Sequence, residues 1–391
     1  MDFNFWLLLG AALFFAFGWI AARIDIKHLI SESRSLPDSY FRGLNFLLND
    51  KPDKAIEAFI EVSKADTQTA ELQFALGGLF RRRGEVDRAI RMHQNLVERA
   101  DISKDAKTQA LFELAQDYLK AGLLDRAEQV FLDLRGTSYG RQSLRFLLDI
   151  YMQEKEWAKA IQTSEELETS TSLDLQLEIA NYYCEMAIGD YTHSRADSVN
   201  ENLQRALEAN RKCVRANLLK GEWESKAGNH DAAIAAWKQI ESQSPTHLCL
   251  VAEGLLTSYK ALGRTGEGLQ LLRGYQERYP ALDILNVLFQ AALETEGVDT
   301  AYRLVRDDLR RNPSILGLDK LLEAQIMEAP AERRGDLQLV RTLVNSHVSR
   351  LARYQCKSCG FKARQFYWHC PACGGWETYP PRRTAELESV E

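Results

Sequence analysis

Hydrophobic residues in the middle of the chain recur in one helical pattern. A short polar turn is followed by a small residue and then by an apolar one, as in NDKPDKAIEAF, RGEVDRAIRMH and AGLLDRAEQVF. Apolar positions spaced by three and four residues predict amphipathic helices. The small residues, called the anchors below, are Ala55, Ala89, Ala127, Ala160, Ala233, Gly268 and Ala301. They are separated by 34, 38, 33, 73, 35 and 33 residues, so the longest interval hides one more unit, centred on Val199.

Other positions keep a fixed register to the anchors. A small residue lies twelve residues before several of them, and an aromatic residue follows three residues later. The small residues are Gly43, Gly77, Ala115, Ala180 and Gly221, and the aromatic residues are Phe46, Phe80, Tyr118 and Tyr183. Ala180 fits this register only if the helix LEIANYYCEM is followed by an insertion, which we place around GDYTHSRADS. In the last units a proline lies twelve residues after the anchor, where a second helix must end.

The pattern resembles the tetratricopeptide repeat, a helix–turn–helix unit of about 34 residues. The resemblance implies an all-α chain in which the units stack into a superhelical solenoid with a concave groove. The predicted array covers residues 37–352, with eight units and a divergent last helical pair. A generic helical bundle is the alternative, but it does not explain the shared spacing.

Arrays of this kind bind other proteins in the groove. The first-helix positions that face the groove in the family correspond here to Phe74, Gly78, Arg81, Arg82, Phe112, Gln116, Lys120, Arg141, Arg145 and Asp149. These positions are mostly basic and aromatic, although the chain has 49 Lys+Arg against 55 Asp+Glu and a net charge of −6. The resemblance therefore implies a groove for an acidic or phosphorylated partner. The alternative for each residue is an ordinary solvated helix face.

The N-terminal segment has the pattern of a membrane anchor. Residues 5–22, FWLLLGAALFFAFGWIAA, contain no charged residue, and about 20 apolar residues suffice to cross a bilayer. The cations Arg23, Lys27, Arg34 and Arg42 follow the run, which predicts that the bulk of the chain is cytoplasmic. We therefore expect a single-pass inner-membrane anchor over residues 1–22 and a linker over 23–36. A buried core helix is the alternative.

The composition of the chain is ordinary, and only its cysteines add to the predictions above. A chain of 391 residues with 45% hydrophobic and 27% charged residues is an ordinary folded protein, which excludes disordered and disulfide-stapled classes. Its balanced charge gives no support for nucleic-acid binding. Of seven cysteines, four lie within eighteen residues near the C-terminus. Cys184, Cys213 and Cys249 lie far apart in sequence and are expected to be core thiols.

The four clustered cysteines have metal-ligand spacing. Cys356/Cys359 and Cys370/Cys373 form two CxxC pairs separated by ten residues. Two such turns facing each other provide a tetrahedral S4 shell for one zinc or iron ion. Gly360 and Gly374 follow the pairs, where a tight turn lets backbone N–H groups point at the sulfurs. The segment looks like a shortened rubredoxin-type domain, predicted over residues 353–380 and followed by a tail at 381–391.

No catalytic motif accompanies this site. Four thiolates leave no open position for hydrolytic zinc chemistry, and His369, beside Cys370, is expected to pack rather than to bind metal. The sequence contains no HExxH, GxSxG, GxxxxGK[ST] or GxGxxG motif. We therefore predict that the protein is not an enzyme.

The order of anchor, repeats and metal module resembles the lipopolysaccharide assembly protein B family of Gram-negative bacteria over essentially the full chain. The resemblance implies an adaptor that presents the deacetylase LpxC to the membrane protease FtsH and so limits lipopolysaccharide production. It also implies an inner-membrane, lipopolysaccharide-sensing protein as antagonist, and a metal module that docks against the repeats. The oligomeric state stays open, a homo-oligomer included. Two alternatives remain: a membrane scaffold for another envelope assembly, and a rubredoxin-like electron-transfer protein.

Overall fold

The computed structural model describes residues 70–351 and 354–381, together with scattered positions between 42 and 58. Antiparallel helices follow one another through the first of these ranges. They are α1 (Ala70–Arg83), α2 (Val86–Glu98), α3 (Lys104–Lys120), α4 (Leu124–Asp133), α5 (Gly140–Glu154), α6 (Trp157–Ser170), α7 (Gln176–Thr192), α8 (Ala196–Ala209), α9 (Val214–Lys226), α10 (His230–Gln243), α11 (Leu248–Ala261), α12 (Thr265–Arg278), α13 (Leu282–Thr295), α14 (Val298–Arg311), α15 (Ile315–Glu328) and α16 (Ala331–Leu351). A 3-10 turn, Pro245–His247, precedes α11. The all-α tetratricopeptide-repeat fold is confirmed.

The anchors occupy one position in the helix pairs. Each anchor from Ala89 to Ala301 is the fourth residue of its second helix, including Val199 in α8. The alanine anchors are fully buried. A small side chain at this position lets the second helix lie close against the first one. The repeat register read from the sequence is therefore the register of the structure.

Glycine in the first helices allows the same close approach. A Cβ atom on Gly77 would overlap the imidazole of His93 in α2, and one on Gly221 would overlap the indole of Trp237 in α10. Trp237 is 2% exposed, and its Nε1 donates to the carbonyl of Leu218 at 3.2 Å. A large second-helix side chain thus fills the space that glycine leaves.

Six turns within the described repeats contain a left-handed residue five positions before the anchor. Gly84, Gly122, Gly228 and Gly263 lie five residues before their anchors, with φ between +70° and +85°. Lys155 and Ser194 occupy the same position in two other units, with φ of +59° and +58°. Since β-carbons disfavour this region, these two turns are held by the packed helices around them.

The insertion expected after LEIANYYCEM was wrong. Helix α7 continues to Thr192 without a break, and the turn that follows it has three residues, as have several other turns within repeats. Ala187 lies twelve residues before Val199, is fully buried, and takes the small position assigned to Ala180. The additional residues lengthen α7 to 17 residues and the loop before it, so they do not interrupt the helix pair.

The chain divides into two compact units, residues 1–150 and 151–391. In the first unit, Leu72, Leu76, Phe80 and Ala89 form one core cluster. In the second unit, an extensive cluster surrounds Trp237 and continues into α11, α12 and α13. The metal-binding segment belongs to this second unit and includes two short antiparallel strands, β1 (Tyr354–Gln355) and β2 (Lys362–Ala363).

None of the described helices is long and apolar enough to cross a membrane. The span predicted at residues 5–22 and the linker at 23–36 lie outside the described residues, as does the predicted tail beyond Pro381. The predicted domain boundaries stay predictions.

Candidate metal centre

Two matching turns build the metal centre. In the first turn, the backbone N–H of Gly360 donates to the carbonyl of Cys356, and in the second turn Gly374 donates to Cys370, each at 2.9 Å. Both glycines have left-handed backbones, with φ of +76° and +68°. Such a φ favours glycine because no Cβ atom has to be accommodated. The two CxxC pairs therefore form similar knuckles, as their spacing predicts.

The four sulfurs form a tetrahedral donor set. Their Sγ atoms all lie within 4.8 Å of one another. The Sγ atoms of Cys356 and Cys373 are 3.8 Å apart, and those of Cys359 and Cys370 are 3.7 Å apart. Metal–sulfur bonds of about 2.3 Å in a regular tetrahedron separate the sulfurs by about 3.8 Å. The residues present therefore fit one S4-bound ion, zinc or iron, with every ligand supplied by the protein.

Hydrogen bonds favour the ionised thiols that a metal requires. Burial raises the pKa of Cys356, but the Thr378 hydroxyl at 3.2 Å and the backbone N–H groups of Cys359 and Ser358 lower it to about 6. Burial also raises the pKa of Cys370, and backbone N–H groups of its own knuckle outweigh that effect and lower it. These hydrogen bonds favour the thiolate form of the first cysteine in each knuckle, which is the form that binds a metal ion.

His369 packs against the module and is not among the ligands. Its ring lies 4.5 Å from the ring of Trp376, measured between centroids, and the two residues form an isolated antiparallel bridge. Among the described residues, the four cysteines are the single group of side chains that could hold a metal ion. A metal ion held by these four thiolates would have no open position and would cross-link the two knuckles.

The module docks on the repeats of the second unit through aromatic side chains. The ring of Trp376 is 7% exposed and meets Tyr182 of α7 edge to face at 5.8 Å and Trp157 of α6 at 6.4 Å. Trp368 stacks on His247, just before α11, at 5.5 Å with an interplanar angle of 8°. The thiol of Cys249 donates to the carbonyl of Pro381 at 3.0 Å. From α6 to α11 the contacts extend over four consecutive helix pairs.

Buried polar side chains lie at the centre of this contact. Arg215 of α9 is 6% exposed, pairs with Glu185 at 2.6 Å, and lies over Trp376 and Trp368 at 5.6 and 6.0 Å. Asn181 of α7 donates to the Glu377 carboxylate at 2.9 Å. Burial raises the pKa of Glu377, which the hydrogen bond from Asn181 and the charge of Arg215 counteract. Burial has the opposite effect on a histidine, and it lowers the pKa of His247 to about 4.

The predicted groove residues lie on first helices of the other unit. Arg82, Lys120, Arg141 and Arg145 are exposed, and Asp149 lies on the same helix as the last two. Phe74, Gly78 and Gln116 are half-buried. Their role as a partner surface stays a prediction.

Two of these residues make internal contacts. Arg81 donates to Glu113 at 2.5 Å and to Asp117 at 2.8 Å, and the second carboxylate oxygen of Asp117 lies 2.5 Å from Nδ1 of His93. The network ties α1, α2 and α3 together. Phe112 is 7% exposed and stacks on Tyr139 with ring centroids 4.6 Å apart.

The docking residues were not found from the sequence. Trp368 and Trp376 flank the second knuckle of a segment that is too short to bury two indoles by itself. This feature of the sequence could have indicated that the segment docks on the repeats. The expected core thiols were confirmed as buried. The sequence did not indicate that Cys184 and Cys213 meet, with their sulfurs 3.8 Å apart.

Comparisons with known proteins agree with both parts of the chain. The model of the rubredoxin metal binding domain matches residues 354–381, and that of the tetratricopeptide repeat matches residues 42–103 and 188–247. Lipopolysaccharide assembly protein B of Escherichia coli strain K12 is 34% identical over 371 residues, 94% of this chain and 95% of that protein. The protein of the same name from Haemophilus influenzae is 29% identical over 384 residues, 94% of this chain and 95% of its own.

Solved structures show more distant likeness. MamA is 19% identical, with a TM-score of 0.32, over 44% of this chain and 95% of its own. Yeast Tom70 is 11% identical, with a TM-score of 0.32, over 80% of this chain and 84% of its own. Likeness at this level carries no functional argument.

Proposed function

The chain belongs to the lipopolysaccharide assembly protein B family, and from this premise we propose that it is an inner-membrane adaptor that regulates lipopolysaccharide synthesis. Its repeats and metal module bind LpxC and present this deacetylase to FtsH for proteolysis. A lipopolysaccharide-sensing inner-membrane protein antagonises it. The adaptor performs no chemistry of its own.

The closed metal centre is the observation that carries this proposal. Four thiolates fill the tetrahedron, and Trp368 and Trp376 fix the module on the repeats. An S4 site without an open position has no place for a substrate. The site thus serves to build a binding surface, as an adaptor requires.

The exposed cations of the first unit supply a second surface. Arg82 lies on α1, Lys120 on α3, and Arg141 and Arg145 on α5, so consecutive first helices each present positive charge. Such a surface attracts an acidic partner and accelerates its association. We assign the client contact to these four residues.

A membrane span at residues 5–22 would place both surfaces beside a membrane-bound protease. Confinement to one thin layer raises the effective concentration of the client at the protease without any additional contact. The span therefore contributes to turnover through location.

The half-life of LpxC in cells that lack their own copy of the adaptor tests this function. Cells are complemented with the wild type, with Cys356→Ser/Cys359→Ser, or with Arg82→Glu/Arg141→Glu/Arg145→Glu. The control, Arg310→Glu/Arg311→Glu, reverses two exposed arginines on a second helix, α14. We expect LpxC to persist several-fold longer with the first two variants and normally with the control. Wild-type turnover with both test variants would refute the adaptor function.

Two further measurements separate the alternatives. Crosslinking in cells, followed by identification of bound proteins, is expected to recover LpxC and FtsH, whereas recovery of other envelope enzymes alone would favour a scaffold.

The purified protein is expected to be colourless with one zinc per chain. A red, redox-active protein would instead favour electron transfer.

A further inference from the structure

Asn181 and Arg215 occupy the same position in two consecutive repeats. They lie 34 residues apart and each is eighteen residues before its anchor, Val199 or Ala233. Both are buried, with Asn181 fully enclosed and Arg215 6% exposed. Buried polar side chains are costly unless they are hydrogen-bonded, so a segment that covers these two favours binding when it offers them polar groups.

The dipeptide Trp376–Glu377 of the metal module is that ligand. The Asn181 side-chain amide donates to the Glu377 carboxylate at 2.9 Å and to the carbonyl of Leu177 at 3.0 Å. Its oxygen accepts from Arg215 at 3.4 Å. The Arg215 guanidinium donates to Glu185 and lies over the indole of Trp376. Amide, guanidinium and aromatic ring together recognise a carboxylate next to an indole.

The metal centre holds this dipeptide in place. Trp376 is three residues from the ligand Cys373, and the hydroxyl oxygen of Thr378, on the other side of Glu377, accepts from the thiol of Cys356 at 3.2 Å. Glu377 itself has a φ of +52°, and its N–H donates to the carbonyl of Trp368 at 2.7 Å. Since a segment this short depends on its metal for folding, loss of the metal releases the left-handed turn that presents Glu377.

The resident ligand leaves one polar group unpaired. In the described part of the chain, Nε1 of Trp376 is buried without a hydrogen-bond partner. An unpaired buried donor weakens the hold of the module on the repeats. A separate segment that presents the same side chains and gives this N–H a partner can therefore compete once the module is loosened.

We propose that Asn181, Glu185 and Arg215 form a peptide-binding clamp of the repeats, that Trp376–Glu377 occupies it as an internal ligand, and that the clamp binds a partner segment with a tryptophan followed by an acidic residue when the module is released. Bound metal keeps the clamp closed. The inference concerns binding by this chain and does not depend on the identity of the adaptor's client.

Fluorescence anisotropy with a labelled peptide of residues 374–380, GGWETYP, tests the clamp. The full chain is used in its metal-loaded form and as Cys356→Ser/Cys359→Ser, which releases the module without a chelator. We expect the variant to bind the peptide at least about tenfold more tightly than the loaded protein. Adding Arg215→Ala or Asn181→Ala to the variant is expected to weaken binding by about tenfold, as is replacing glutamate by glutamine in the peptide.

Tyr191→Ala is the matched control, because Tyr191 lies on α7 as Asn181 does but stacks on Trp223, away from the module. It is expected to leave the peptide affinity unchanged. Far-UV circular dichroism confirms that each variant keeps its helices, and Arg215→Lys, which retains the charge, is tested where Arg215→Ala loses them. Absence of peptide binding by the metal-free variant, affinity indifferent to Asn181 and Arg215, or a dimer that forms in place of the peptide complex would overturn the proposal.

Discussion

First helices of the two units carry contrasting surfaces on one scaffold. In the second unit, the metal module covers residues of α7, α9 and the start of α11, and Arg215 is 6% exposed. In the first unit, Arg141 and Arg145 of α5 are exposed. The position eighteen residues before the anchor is Gln142 on α5, also exposed, where the second unit has Asn181 and Arg215. The helices pair in the same way in both units, so the covered face and the exposed face differ in the side chains that they carry at one register position.

Loss of the metal is expected to have the largest effect, and to affect only the surface of the second unit that the metal module covers. Cys356→Ser/Cys359→Ser removes two of four ligands, so the module loses the free energy that holds its knuckles together. We expect metal content, measured by elemental analysis, to fall from one per chain to none. The control is Cys184→Ala, which removes a buried thiol that is not a ligand and is expected to keep the metal. Retention of one metal by the double variant would contradict the assignment of these ligands.

Substitutions of two arginines compare the surface that the metal module covers with the exposed surface of the first unit. Arg215→Gln breaks an ion pair whose side chains are 7% and 25% exposed, and is expected to lower the free energy of unfolding by about 2–3 kcal/mol. Arg145→Gln changes an exposed residue and is expected to change it by less than about 0.5 kcal/mol. Denaturant titration of both variants measures the difference. Equal effects would remove the distinction between the two surfaces.

The helix pairs themselves are expected to respond alike in both units. Gly77→Ala would press a methyl group into His93, and Gly221→Ala would press one into Trp237. Overpacking costs about 1–3 kcal/mol and the gain in helix propensity offsets about 0.5–1 kcal/mol, so each variant should lose up to about 2.5 kcal/mol. Gly189→Ala, in α7 with open space around it, is the control and is expected to be stabilising. Denaturant unfolding measures all three, and stabilisation by either test variant would disprove the close approach.

The smallest expected effect is a pH dependence of the covered surface. The pKa of His247 is lowered to about 4 by burial, whereas an unfolded histidine takes up its proton near pH 6.5. Its contribution to stability is therefore present above pH 6.5 and is lost as the pH falls towards 4. His247→Phe keeps a ring against Trp368 and removes this titration. Between pH 7.5 and 5.5 the wild type should lose about 1 kcal/mol more than the variant in denaturant unfolding, and parallel losses would contradict the assignment.

Periodicity predicted the parts of the fold that are local. Anchors at the fourth residue of each second helix and small residues such as Gly77 and Gly221 repeat because paired helices lie close in sequence. The metal ligands were equally predictable, since each CxxC turn is complete within a few residues. The misplaced insertion shows the limit of this reasoning, because Ala180 and Ala187 are both small, both buried and two helical turns apart.

Contacts between distant segments were not predictable from one sequence. The hydrogen bond from Asn181 to Glu377 joins residues 196 positions apart, and no period of the chain relates them. Phe112 also shows how packing decides the role of a groove position, because Tyr139 covers its ring. A repeat register specifies which residues lie on a face, whereas the neighbour that covers the face is specified elsewhere in the chain.

Hydrogen–deuterium exchange of the full chain, with metal bound and after its removal by a chelator, tests the central claim that the S4 site keeps the module on the repeats. Backbone amides exchange faster where packing that protects them is lost. We expect faster exchange in residues 354–381 and in the N-terminal halves of α7 and α9, with α1 and α3 unchanged. Exchange that rises only within the module, or equally throughout the chain, would contradict it.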